Sequence, residues 1–225
     1  MVDVGGATGV YAGPLAEAGY SVRVVDPVPA HVTASGARPG VSAIVGDARE
    51  LPEETASADA VLLLGPLYHL PDRADRARAW REAARIARPG GVVAGAVISR
   101  FASLFDGVAK GYFAEPEFRG LVEGALADGV HRNPANRLRW FTDAYFHRPE
   151  EAPLEAADAG LTEIRTAAVE GPIWMTGPRL DEFLADAGLT GIMMDMLRRI
   201  EHEPSILGAS SHLLITGRCP VVQDE

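Results

Sequence analysis

The stretch Val2-Asp3-Val4-Gly5-Gly6-Ala7-Thr8-Gly9, followed by a helical segment and then Val22-Arg23-Val24-Val25-Asp26, decides how this chain folds. It reads as strand, glycine loop, helix, strand and terminal carboxylate, the unit with which α/β proteins hold an adenosine-containing cofactor. Gly5, Gly6 and Gly9 remove side chains where a backbone turns sharply and a ligand must approach. The helix that follows offers unpaired N–H groups to an anionic group. Asp26 falls where a carboxylate can accept hydrogen bonds from both hydroxyls of a ribose.

Two frames compete for the loop. A G-x-G-x-x-G fingerprint starting at Gly5 fails, because positions 7 and 10 are Ala and Val. A looser G-x-x-G-x-x-G/A frame fits Gly6, Gly9 and Ala12 and keeps an NAD(P)-binding, short-chain-type oxidoreductase open as an alternative. That alternative lacks a Tyr-x-x-x-Lys pair, since no tyrosine stands four residues before Lys110, the only lysine. Asp3, two residues ahead of Gly5, completes a D-x-G-x-x-x-G arrangement that resembles motif I of the class I S-adenosylmethionine-dependent methyltransferases. In that family a glycine usually stands at the position of Ala7.

The chain's 225 residues suit one α/β domain with a sizeable core, and no composition shift marks a second domain. A formal net charge of −10, with basic residues scattered among acids, argues against a broad nucleic-acid-binding face and for a small partner. The single cysteine, Cys219, fits a reduced, cytoplasmic setting. No charged and apolar leader opens the chain, and no apolar run has the length to cross a bilayer, so no membrane partner is expected. Residues 220–225 read as a frayed tail. Oligomeric state is not legible here.

Strand-like runs at about 2–5, 21–26, 42–46, 59–64 and 91–98 alternate with helical patterns, the signature of βαβ units and a parallel sheet. Helices are expected at about 10–18 and at 72–87, where Ala77, Trp80, Ala84 and Ala87 share a face. Arg88-Pro89-Gly90-Gly91 is a helix stop ahead of a buried strand. Methyltransferases of this class carry a Pro-Gly-Gly turn at the same point. With Asp3, Asp26 and Gly46-Asp47-Ala48, the resemblance extends over residues 2 to about 98 in order.

It implies a doubly wound, seven-stranded, mostly parallel sheet in a single domain, with 100–147 inserted as an aromatic lid. A helix near 149–159, a strand near 161–169, helices around 179–201 and a last strand at 211–216 complete that expectation. Relatives place a longer strand and further helices ahead of motif I. Here only Met1 and Val2 precede Asp3, which leaves a truncated chain or a cover formed by the lid alone, and keeps a non-catalytic methyltransferase-like binding protein open as a second alternative.

By the same resemblance, Asp3 helps hold the ammonium group of S-adenosylmethionine, while Gly5, Gly6, Ala7 and Gly9 line its methionine portion. Asp26 takes the ribose with Pro27 beside the adenine, and Asp47 and Ala48 meet the adenine edge. Leu64 and Gly65, at the end of the fourth strand, border the pocket, and the run through Tyr68 and His69 faces a small-molecule acceptor. His69 is either a general base for a hydroxyl acceptor or a loop-packing histidine. Phe101, His131, Tyr145 and His147 lie in the lid as acceptor contacts, with core, surface or capping roles as the alternative. Arg100 and Arg132 read as solvated or as contacts to an acidic group, and His31 and His212 as structural. Glu201-His202-Glu203 points three ways from a helix and cannot chelate one ion, so no metal is expected.

Overall fold

The computed structural model describes residues 1–221, so of the tail expected to fray, 222–225 lie outside the described residues. The strands are β1 (Val2–Val4), β2 (Val22–Asp26), β3 (Val41–Val45), β4 (Ala58–Leu63), β5 (Ala87–Ser99), β6 (Val130–His131), β7 (Ala144–His147), β8 (Thr162–Ala168) and β9 (His212–Arg218). The helices are α1 (Ala12–Glu17), α2 (Pro29–Gly36), α3 (Arg73–Ile86), α4 (Ala102–Lys110), α5 (Pro116–Asp128), α6 (Glu151–Asp158), α7 (Leu180–Ala185), α8 (Ala187–Ile200) and α9 (Pro204–Leu207). No helix among the described residues is long and apolar enough to cross a membrane.

Two compact units divide the chain. The first comprises Met1–Ala96, Pro153–Ile164 and the residues from Ile215 onward; the second comprises Val97–Ala152 and Arg165–Leu214. Strands β5, β8 and β9 each run from one into the other.

In the first unit the strand order is β3-β2-β1-β4-β5, all parallel. Val2 faces Arg23 on one side and Val61 on the other, and Val61 in turn faces Val93. The strands are rich in valine because a β-branched side chain, stiff at χ1, packs well on a pleated surface covered on both faces. Val4, Val24, Val61 and Val93 are accordingly buried. Chain order reverses at β1, which sends β2 to one side and β4 to the other. The carboxyl ends of those strands therefore border a crevice, the usual ligand position in such sheets.

Helix α3 begins where the Asp72 side chain accepts from the Ala74 amide at 2.7 Å. Its inner stripe, Arg76, Ala79, Trp80, Ala83 and Ile86, recurs at helical spacing and is buried. Trp80 rests on Gly95 of β5, where a Cβ would come within 2.4 Å of the indole. Burying a side chain of that size is worth about 4–6 kcal/mol at most. The Pro-Gly-Gly turn lies inside β5, which starts at Ala87 opposite Ala58 and resumes regular pairing at Val92. Gly90, at φ +76°, permits that irregularity and donates to the Cys219 carbonyl at 2.9 Å.

In the second unit the end of β5 pairs in parallel with β7, Ile98 opposite Phe146 and Ser99 opposite His147, and β7 pairs antiparallel with β6. Nine strands are present among the described residues where seven were expected, because 100–147 contributes β6 and β7 together with α4 and α5. Tyr145 and His147, expected in a lid, are strand residues. Arg100, expected in solvent, is buried: it donates to the Phe146 carbonyl at 2.8 Å and pairs with Glu151 at 3.0 Å. Gly129 makes room for it, since a Cβ there would meet the guanidinium at 2.5 Å. Arg132 is exposed and paired with Asp128 at 2.8 Å. The helical stretch expected at 179–201 breaks at Asp186, whose side chain caps α8 through the Gly188 and Leu189 amides.

Candidate functional site

Asp3 sits in the middle of β1 and is 1% exposed. Neither of its carboxylate oxygens has a hydrogen-bond partner among the described residues. Burial, and secondarily the charge of Asp26, pushes its pKa up to about 6. The loop is built around this carboxyl. A Cβ on Gly6 would lie 2.5 Å from Asp3 Oδ2, so only glycine fits there. Gly5, Ala7 and Gly9 all hold positive φ, at +66°, +46° and +77°. The Gly5 amide ties the loop to β2 through the Val25 carbonyl at 2.7 Å, and Arg38 donates to the Thr8 carbonyl at 2.6 Å.

Asp26, at the end of β2, is the hub of the crevice. Its Oδ2 accepts from the Ala7 amide at 2.9 Å, and its Oδ1 accepts from the Val28 amide at 2.9 Å and lies 3.0 Å from His31 Nδ1. Three of about four acceptor positions on the carboxylate are thus engaged by protein groups. Beyond β3, Asp47 is clasped by Arg49, whose other nitrogen reaches Asp75 at 2.8 Å. The Arg49 hydrogen bond, against a smaller opposing effect of burial, holds Asp47 below the usual carboxylate range.

The fourth side of the crevice is the exit of β4. Pro66 packs on Gly5, whose added Cβ would stand 3.0 Å from the proline ring, and a Cβ on Gly65 would stand 3.1 Å from the Gly5 carbonyl oxygen. Tyr68 and His69 follow on a single 3-10 turn with ring centroids 4.7 Å apart. Burial raises the Tyr68 phenol and lowers the His69 imidazole, so His69 favours its neutral form. Arg76 fixes the end of this turn: it donates to the carbonyls of Leu70 and Pro71 at 3.0 and 2.9 Å and is paired in the interior with Glu155.

These elements enclose a crevice of about 580 Å³ within the first unit, a size typical of small-molecule sites. Of the residues named from sequence, Gly5, Ala7, Asp26, Pro27, Asp47 and Ala48 line it, as do Gly65, Tyr68 and His69. Asp3, Gly6, Gly9 and Leu64 are not among its lining residues, although Gly6 lies against the Asp3 carboxyl. Phe101, His131, Tyr145 and His147 belong to the second unit. There His131 is buried, Tyr145 bonds Arg100 and Glu151, and His147 is fully buried on β7. Sequence reading passed over Val28 and Arg49 and took His31 as structural; all three line the crevice, as do Pro66 and Leu70 of the run expected to border it. His31 carried a signal, standing five residues after Asp26, in the first turn of the next helix.

Residues 2–95 match the model of a methyltransferase domain family. An uncharacterised methyltransferase of Mycobacterium tuberculosis is 38% identical over 92 residues, which is 40% of this chain and 36% of that protein. The chain thus spans about a third of the length of the curated relatives it matches. Among solved structures, an S-adenosylmethionine-dependent methyltransferase from Methanosarcina mazei covers 98% of this chain and 92% of its own, with a TM-score of 0.63 and 16% identity. One from Thermotoga maritima covers 97% and 81%, with a TM-score of 0.57 and 20% identity. At such identities these two show a shared fold.

The cofactor that this similarity implies is S-adenosylmethionine, and the residues present suit it. Asp3 is a buried carboxyl with two unpartnered oxygens, a cost of a few kcal/mol that a cationic neighbour offsets. Gly6 leaves the loop without side-chain bulk directly over that carboxyl. Asp26 keeps acceptor capacity at the crevice wall.

Proposed function

We propose that the chain transfers a methyl group from S-adenosylmethionine to a small-molecule acceptor. The observation that carries this reading is the pair of unpartnered oxygens on buried Asp3, beneath the one loop where a glycine cradle meets the end of β1. An ammonium or sulfonium compound supplies the positive charge that this carboxyl lacks. When bound, the cofactor supplies an electrophilic methyl group, and in-line displacement then asks little covalent chemistry of the protein.

The chain's own residues bind, orient and exclude water. Asp26, with His31 beside it, takes the ribose; Asp47 and Ala48 take the adenine edge. Tyr68 and Leu70 shield the crevice, and His69, which favours its neutral form at the crevice wall, is positioned to accept a proton from an acceptor hydroxyl. A nicotinamide-cofactor reading has less support, since the family match falls on the same residues, 2–95, that would have to form its site.

Thermal unfolding with added ligand tests the choice. S-adenosylhomocysteine is expected to raise the midpoint and NAD(P) to leave it unchanged; the reverse pattern overturns the proposal. Methyl-labelled cofactor offered with a panel of small alcohols, phenols and amines is then expected to yield a labelled product.

A further inference from the structure

The second unit holds a cavity of about 430 Å³ that the cofactor reading does not use. Its walls are largely aromatic: Phe118, Trp140, Phe141, Phe146 and Trp174 contribute rings, with Ile98 beside them. Two polar devices are set into these walls.

The first is Ser103 with His131. Both are buried, at 5% and 1% exposure. His131 Nε2 lies 2.6 Å from the Trp140 carbonyl, and a carbonyl can only accept, so Nε2 carries the proton. In the neutral ring Nδ1 is then an acceptor, and the Ser103 hydroxyl, 2.9 Å away, donates to it. With its hydrogen committed inward, Ser103 Oγ presents only lone pairs to anything else. A hydroxyl so arranged selects a hydrogen-bond donor.

The second device is electrostatic balance at the rim. Glu170 bonds His212 through both the imidazole and the backbone amide, and Lys110 pairs with Asp106 at 2.9 Å. The Glu170 hydrogen bond favours the protonated imidazole of His212, so two acids face two bases and the rim offers a ligand little net charge. Flat apolar walls, one buried acceptor and a neutral rim together define a neutral aromatic ring bearing a hydroxyl.

We infer that this cavity is a binding site for a neutral hydroxyaromatic compound, with the ring held among Phe118, Phe146 and Trp174 and the hydroxyl donating to Ser103 Oγ. The ligand hydroxyl, Ser103 and His131 then form a chain of hydrogen bonds ending at the Trp140 carbonyl. The site stands on binding alone. If the proposed methyl transfer also holds, hydroxyaromatics are the acceptor class to try first, and that consequence rests on the earlier reading.

Calorimetric titration of the full chain with 2-naphthol, its methyl ether and 2-naphthoate tests the inference. 2-Naphthol is expected to bind at one site, with the ether weaker by roughly tenfold for loss of its donor and the anionic naphthoate weaker than both. Ser103→Ala is expected to abolish the preference for naphthol over its ether. Failure of 2-naphthol to saturate, or equal affinities of naphthol and ether on the unaltered chain, overturns the inference whether or not the Ser103→Ala chain folds. S-adenosylhomocysteine titrated in parallel separates the two readings. Naphthol binding without nucleoside binding supports the cavity and sinks the methyltransferase proposal, while nucleoside binding without naphthol binding does the opposite.

Discussion

The Ala7 amide donates to Asp26 Oδ2 at 2.9 Å, and Ala7 makes this bond while held at φ +46°. The loop of β1 is thereby latched to the end of β2 by a residue in a conformation that an L side chain resists. Glycine at this position removes a left-handed penalty of about 1–2 kcal/mol and loosens the unfolded chain by about 0.4–1 kcal/mol. Ala7→Gly is therefore expected to stabilise the protein by up to about 1 kcal/mol with the latch kept. Chemical denaturation checks it, and a loss of stability means that the Cβ of Ala7 is itself needed for packing.

Asp3 makes stability depend on pH in a direction unusual for a carboxylate. Its pKa is raised from 3.8 to about 6, so the folded chain holds a proton there that the unfolded chain has already released. Its contribution is favourable at low pH and is lost as pH rises through about 4 to 6, leaving a penalty on the order of 2–3 kcal/mol above that window. Asp3→Asn is expected to flatten this part of the stability profile and to stabilise the unliganded protein near pH 7.5, while weakening S-adenosylmethionine binding. An unchanged profile would show that Asp3 reaches solvent or a counter-charge.

Arg76 and Glu155 are 2% and 4% exposed and bonded through three short contacts. Removing either charge leaves the other buried without this counter-charge, so Arg76→Met or Glu155→Gln is expected to cost about 3–5 kcal/mol. Replacing both by apolar residues is expected to cost less than either single change. Because Arg76 also holds the Leu70 and Pro71 carbonyls, the double variant is expected to keep its fold yet bind the nucleoside more weakly. Strictly additive losses in a double-mutant cycle would contradict this.

His69 is held below the ordinary imidazole value of 6.5 by burial. If it accepts the acceptor's proton, the acid limb of the pH–rate profile lies below pH 6.5, and His69→Ala lowers turnover by about 10²–10⁴-fold with little change in cofactor affinity. Equal turnover in the variant removes the base role.

How much of this was legible in the sequence depended on whether a signal was local. Asp3, the glycine loop and Asp26 lie within 24 consecutive residues, and their strand–loop–strand arrangement follows from chain order alone. The valine-rich strands announced a buried sheet in the same way. Helix α2 was missed because its start at Pro29 follows Val28 with no side-chain cap. Strands β6 and β7 have two and four residues, too few for alternation to register, and β7 exists because Phe146 and His147 meet Ile98 and Ser99 from far along the chain. Arg100 looked solvated because its partners, Phe146 and Glu151, are 46 and 51 residues away. Nothing in sequence could show that the Asp3 oxygens would be buried without partners, the property on which the cofactor argument leans.

The most direct measurement is calorimetric titration of the full chain and of Asp26→Ala with S-adenosylhomocysteine at neutral pH. The predicted result is saturable binding at a single site in the unaltered chain, weakened at least about tenfold in the variant as hydrogen bonds to a charged group are lost. No binding to the unaltered chain, or equal affinity in the two, would contradict the account.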